Sequence, residues 1–241
     1  MRALVVVHDP GSTSGLVGDR LRQHGIDLVE LLVTSSAEEP VSNIAFPDPT
    51  NFDLIVPMGS VWSIPQIDEI SSWIHREFAL LRQADKAGIP ILGVCFGGQA
   101  LASALGGKTV RSDSHQVGWV SIDSVVPNGI SNGPWMEWHY DCIHPPPDAE
   151  ILASDDTYVQ AFQVRNHVGV QFHPEVDPAH FDMWLSLGGR EELDSIGIDV
   201  EELRHEAERQ SRSSKQNTEQ LVDWFLSDVA GISEPPKGRG G

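Results

Sequence analysis

The sequence is poor in cysteine, in basic residues and in long apolar runs. Two cysteines in 241 residues are too few for the disulfide framework that staples small secreted domains, so the expected setting is reducing and cytoplasmic. Lys and Arg number 16 against 35 Asp and Glu, a formal net charge of −19. Phosphate binding needs clustered cations, so this balance argues against a nucleic-acid partner. No stretch approaches the roughly 20 apolar residues that span a bilayer, and the apolar start "ALVVV" is shorter than a signal-peptide core of roughly 7–15 residues. A membrane role is therefore not expected. The cysteines and histidines lack the paired C-x-x-C or H-x-x-x-H spacing of a zinc site, and no internal repeat is found.

What is present is an alternation. "ALVVVH" (Ala3 to His8) is an aliphatic run that ends in the turn-rich "DPGSTSG" and reads as a buried first strand. A helix is predicted over Leu16 to His24, stopped by Gly25, and "DLVELLV" and "FDLIVPMGS" give two more strands. From Gln66 to Ala87 the residues Ile67, Ile70, Ile74, Phe78, Leu81 and Ala84 recur at helical steps, predicting one long amphipathic helix with Gly88 as its C-cap. "IPILGVC" is a fourth strand, followed by a small-residue helix from about Gly97 to Leu105. Strand, helix, strand is the alternation of an α/β, doubly wound, mostly parallel sheet covered on both faces.

After Gly106 the rhythm changes. "VGWVSID", "EILASD", "YVQAFQV" and "VGVQFH" read as antiparallel additions to the same sheet, with "VRNHVG" as a hairpin turn. Residues 176–229 read as mostly helical, with Leu221, Trp224, Phe225 and Val229 on one side of the last helix. The expected organisation is one α/β domain over 1–187, a helical extension over 188–230 packed on it, and a disordered tail over 231–241.

Two short stretches carry chemistry. In "GVCFG", Gly93 and Gly97 flank Cys95 at minus two and plus two, the spacing of a nucleophile elbow in which a strand turns sharply into a helix. A helix N-terminus behind the sulfur favours the thiolate, and the Phe96 N–H points where an oxyanion would form. The alternative is a packed thiol, since free cysteine is among the most buried residue types. In "VGVQFHPEV", His173 ends a strand before Pro174, with Glu175 two residues on. On extended backbone His173 and Glu175 project to one side, a base beside its orienting carboxylate. A histidine before proline at a strand end is also a common surface feature. Strands of one sheet can bring Cys95 and His173 to the same edge.

Together, "GVCFGGQ" and "QFHPE" resemble the motifs of the class I (triad) glutamine amidotransferases, in particular stand-alone domains similar to the glutaminase part of GMP synthase. The resemblance runs from residue 3 to about 187. It implies a Cys95–His173–Glu175 triad, an oxyanion hole from the backbone N–H groups of Phe96 and Gly59, and a substrate contact from Gln99. The Gly59 loop, "VPMGSV", has Met58 and Ser60 where the family commonly has Gly-Gly-Pro. "WHYDCIHPP" resembles the segment lining the substrate site and brings in His139 and Asp141, with Tyr140 for a common Gly and Cys142 for a common Thr. "QVGW" is similar to the family's E-I/V-G-W, with Gln116 in place of Glu.

The implied reaction is hydrolysis of the side-chain amide of glutamine through a γ-glutamyl thioester, without metal or organic cofactor. No G-x-x-x-x-G-K-S/T loop or comparable ATP-binding glycine loop is present, so a synthase accepting the ammonia would be a partner on another chain. Two other readings stand beside it. Trp62, Trp119, Trp135 and Trp138 could rim a pocket for a larger γ-glutamyl conjugate, giving a γ-glutamyl hydrolase or peptidase, although tryptophans are more often core. A non-catalytic regulatory subunit is the third.

Overall fold

A computed structural model describes residues 1–232. An eight-stranded sheet runs in the order β2-β1-β3-β4-β10-β9-β8-β6. Its strands β1 (Arg2–Val7), β2 (Asp27–Leu32), β3 (Leu54–Pro57), β4 (Ile91–Val94) and β10 (His167–Val170) are mutually parallel. The remaining strands, β9 (Val159–Val164), β8 (Glu150–Ser154) and β6 (Asp123–Ser124), add on antiparallel.

Side-chain alternation along these strands builds two cores. Ala3, Val5, Val7, Leu54, Val56, Leu92 and Val94 face one way, onto Val17 and Leu21 of α1 (Gly15–Gln23). Leu4, Val6, Ile55 and Ile91 face the other, onto α2 (Ile74–Ala87) and α3 (Phe96–Ala104). This is the period-2 consequence of strands buried on both faces. Gly25 and Gly88, with φ of 73° and 71°, end α1 and α2 in the left-handed conformation that glycine adopts without steric cost. Arg165, φ 55°, makes the β9–β10 hairpin turn expected from "VRNHVG".

Two expectations are corrected. The helix predicted from Gln66 begins only at Ile74. Residues before it form turns, because Trp73 takes a φ of −139° and the segment docks elsewhere: the Trp73 indole donates to Pro40 O at 2.7 Å and Ser72 Oγ accepts from Ser42 N–H at 3.0 Å. Ile70 and Trp73 are still buried, so the apolar spacing persisted without the helix. "VGWVSID" also does not extend the main sheet as a whole. Most of it belongs to β5 (Lys108–Val120), which pairs with β7 (Trp135–His144) as a separate two-stranded ribbon with a register shift between Arg111 and Gln116. The strand in "VGVQFH" is antiparallel to β9 but parallel to β4.

The C-terminal part is helical, with α4 (Pro178–Trp184), α5 (Arg190–Ser195) and α6 (Val200–Trp224). Asp199 caps α6, accepting from the N–H groups of Glu201 and Glu202. Leu221, Val222, Phe225 and Leu226 enter the same core as β1, while Leu203 and Ala207 pack with Met136 of the ribbon and Phe181 of α4. The tail expected over 231–241 lies, from residue 233, outside the described residues. Among the described residues no helix is long and apolar enough to cross a membrane.

Candidate active site

Between β4 and α3 the chain turns at Cys95, which takes φ 49° and ψ −107°. A non-glycine residue at such an angle is strained and must be held by its surroundings. Here the Cys95 N–H is tied to Val170 O at 2.8 Å, at the end of the neighbouring strand. The flanking glycines are required by contact: a Cβ on Gly97 would lie 2.0 Å from Pro57 O, and one on Gly93 would lie 2.6 Å from Gly97 O. The sulfur thus stands at the N-terminus of α3, where Phe96 is the first helical residue and its N–H has no partner within the helix.

Three residues beyond β10, His173 is fixed by its N–H to Met136 O at 2.8 Å. Pro174 and Glu175 form a turn rather than continuing extended, yet the carboxylate still reaches the ring, with His173 Nδ1 and Glu175 Oε1 2.8 Å apart. The other ring nitrogen, Nε2, is buried with no hydrogen-bond partner. Burial works to depress the His173 pKa. Its interactions with the adjacent Cys95 and Glu175 outweigh burial and hold the pKa well above the ordinary value. Trp184 stands edge-on to this imidazole at 4.8 Å and is anchored through its indole N–H to Gly11 O.

Gly59, in the loop after β3, lies directly against the same ring: a Cβ there would be 3.2 Å from His173 Cε1. The Met58–Gly59 peptide is locked, since Met58 O accepts the Gly97 N–H at 3.0 Å. A trans peptide then directs the Gly59 N–H to the side opposite that carbonyl.

Gln99 is buried one turn into α3, with its amide 3.4 Å from Asp141 O and 3.5 Å from Gln171 Oε1. The Asp141 carboxylate accepts from Ser63 Oγ at 2.6 Å and meets Arg111 at 3.3 Å. His139 lies in a buried network beside them: Nδ1 bonds Asp141 O, and Nε2 lies 3.0 Å from Gln116 Oε1 and 3.3 Å from Glu137. The structure therefore brings Cys95, His173, Glu175, Gly59, Phe96, Gln99 and Asp141 to one end of the sheet, with His139 next to them on the carbonyl of Asp141 that Gln99 also meets.

Of the tryptophans read as a possible rim, Trp135 is core, stacked on Phe172 at 4.3 Å. Trp138 packs on Phe181 and Trp184 and bonds Glu192. One residue was missed. Gln171 donates to the Cys95 sulfur at 3.7 Å, and the i, i+2 relation to His173 in "QFH" was the available signal. Among the described residues no group of three or more His, Cys, Asp or Glu side chains could hold a metal ion.

The fold, the cysteine elbow and the adjoining His–Glu pair define a class. The chain belongs to the class I glutamine amidotransferase family, whose model matches residues 7–186. Within that family it is similar to the glutamine-hydrolyzing GMP synthase of Aeropyrum pernix, 30% identical over 200 residues that cover 77% of this chain and 36% of that protein. The GMP synthase of Anaplasma marginale is 30% identical over 196 residues, covering 71% and 35%. The chain thus spans about a third of the length of these curated relatives. In fold it is similar to a glutamine amidotransferase from Thermotoga maritima, with a TM-score of 0.82 at 24% identity, covering 95% of this chain and 99% of that one. A glutamine amidotransferase from Methylobacillus flagellatus gives 0.81 at 20% identity, covering 100% and 98%.

Proposed function

We propose that the protein hydrolyses the side-chain amide of glutamine and releases ammonia, with Cys95 as nucleophile, His173 as acid and base, and Glu175 as the group that orients His173. The observation that carries this reading is the buried His173–Glu175 pair, 2.8 Å apart, whose other ring nitrogen has no partner beside an elbow cysteine.

The Cys95 thiolate forms a C–S bond to the amide carbon, and the carbonyl oxygen becomes an oxyanion facing the N–H groups of Phe96 and Gly59. The C–N bond then breaks as protonated His173 gives its proton to the leaving nitrogen, which departs as ammonia. A γ-glutamyl thioester remains. His173, now neutral, takes a proton from water, the resulting hydroxide adds to the thioester, and the C–S bond breaks to return thiolate and glutamate. Gln99 and Asp141 hold the substrate. The ammonia passes to a synthase site outside these residues, as expected from the relatives, glutamine-hydrolyzing GMP synthases of which this chain spans about a third.

The test is ammonia release from glutamine by the purified protein, with mass spectrometry of Cys95 after exposure to a glutamine-analogue electrophile. Turnover and a Cys95 adduct are expected, both lost in Cys95→Ala. Neither with glutamine, but adducts with bulky γ-glutamyl conjugates, would replace glutamine by a conjugate as substrate. No adduct with any γ-glutamyl compound would end the catalytic reading.

A further inference from the structure

Immediately after β1, His8 and Asp9 are buried at 0% and 1% exposure, and the proposed reaction uses neither. His8 Nδ1 lies 2.9 Å from Gly59 O. A carbonyl only accepts, so this nitrogen carries the proton and donates. Its Nε2 lies 3.0 and 3.1 Å from the two carboxylate oxygens of Glu77, on α2 and itself fully buried. The ring packs edge-on against the ring of Phe96, centroids 4.6 Å apart, and Trp73 closes the cluster at 5.7 Å from His8 and 6.0 Å from Phe96. One imidazole therefore touches both residues assigned to the oxyanion site.

We propose that His8, held by Glu77, is a positioning residue that presets the two backbone donors of the oxyanion site, Gly59 and Phe96. The inference rests on the proposed function and adds to it the device that shapes the Gly59 loop. The peptide before Gly59 is locked by Gly97 through Met58 O, and the peptide after it is locked by His8 through Gly59 O. With both flanking peptides held, Gly59 cannot flip its N–H away from the site. Two residues on, Asp9 Oδ2 accepts the Val61 N–H at 3.2 Å, so the dipeptide His8–Asp9 grips the loop at two points. This does for Met58-Gly59-Ser60 what a proline would do by restricting φ.

A purely structural role is the weaker explanation. Replacing a buried ion pair by well-packed apolar side chains is often neutral or stabilising, so stability alone gives no reason to keep His8 and Glu77. Both ring nitrogens nevertheless face acceptors, Gly59 O on one side and the Glu77 carboxylate on the other. Burial opposes the charged ring, but Glu77 and the bond to Gly59 O raise the His8 pKa above its ordinary value.

The test compares the double variant His8→Phe/Glu77→Leu, which keeps a ring against Phe96 and leaves no orphan charge, with Glu77→Gln. In the latter the amide can donate to Nε2 and His8 keeps its Nδ1 proton for Gly59. The double variant is expected to lose kcat for glutamine hydrolysis by roughly 10²-fold, the scale of one oxyanion donor. Its KM and its rate of Cys95 alkylation by iodoacetamide should stay close to wild type. Glu77→Gln should retain most of kcat. An unchanged kcat in the double variant, or parallel loss of kcat and alkylation, overturns the inference. Should the double variant not fold, His8→Phe/Glu77→Gln takes its place, since it also removes the Nδ1 donor and leaves no buried charge, with the same expected split and the same overturning results. A wild-type protein that neither hydrolyses glutamine nor takes up its analogue at Cys95 would instead remove the reading on which the inference rests.

Discussion

The side-chain amide of Gln171 donates to the sulfur of Cys95 at 3.7 Å, and its carbonyl oxygen lies 3.5 Å from the amide of Gln99. A buried donor beside a thiol favours the thiolate, and a like charge in its place opposes it. Gln171→Glu replaces the donor by a negative charge beside the sulfur and is expected to slow alkylation of Cys95 at pH 7 by roughly tenfold or more. Gln171→Leu, which removes the donor without adding charge, should slow it less. Alkylation rates measured against pH decide the matter, and identical profiles for all three proteins would show that the contact has no effect on the sulfur.

His173 holds its proton more tightly in the folded chain than in the unfolded one. A base with a raised folded pKa stabilises the native state fully below the unfolded value of about 6.5, and that contribution is lost as pH rises through the folded pKa. Urea unfolding of wild type and His173→Gln at a series of pH values should give a stability difference that is flat at low pH and shrinks as pH rises. Glu175→Gln removes the carboxylate charge beside the ring and should bring the decline to lower pH.

Glu137 has the opposite charge type and the same sense of shift. It is fully buried on β7, neither carboxylate oxygen has a hydrogen-bond partner, and desolvation raises its pKa despite the nearby His139 and His173. An acid with a raised folded pKa binds more protons folded than unfolded. Stability therefore falls as pH rises from about 4.5 through the folded value. Glu137→Gln should remove that slope, gaining Tm relative to wild type at pH 8 and gaining less at pH 5. A parallel pH dependence in the two proteins would contradict the assignment.

Gly97→Ala places a methyl group 2.0 Å from Pro57 O and 2.5 Å from its carbonyl carbon. Both atoms are backbone, so relief requires β3 or α3 to move. The expected cost is about 3 kcal/mol or more, within the range of overpacking, read as a fall in the urea midpoint. Wild-type stability in this variant would mean that the elbow yields more easily than its contacts imply.

The parts of the fold that could be read from sequence were those whose cause is local. Val5, Ile55 and Leu92 sit in apolar runs because their strands are covered on both faces, and Gly88 ends a helix by the angle it adopts. The elbow and "QFHPE" were legible because each compresses its geometry into a few residues. The missed start of α2 had a tertiary cause, the anchoring of Trp73 to Pro40. Likewise β7 gave no strand signal beyond its site motif, because its pairing with β5 depends on a partner across the polar, bulged segment after Arg111. His8 and Glu77 are 69 positions apart. Nothing in the sequence near either one points to the other, and only the packing of α2 on β1 makes them a pair.

The last helix also changes what counts as the working unit. The family match ends at residue 186, but Leu221, Val222, Phe225 and Leu226 share a core with Val5, Val94 and Cys95. Thr218, three residues before that group, donates its hydroxyl to Pro174 O, between His173 and Glu175. A gene fragment trimmed to the matching segment would lose the floor beneath its own histidine. Any chimera built to borrow the chemistry must carry the helix with it.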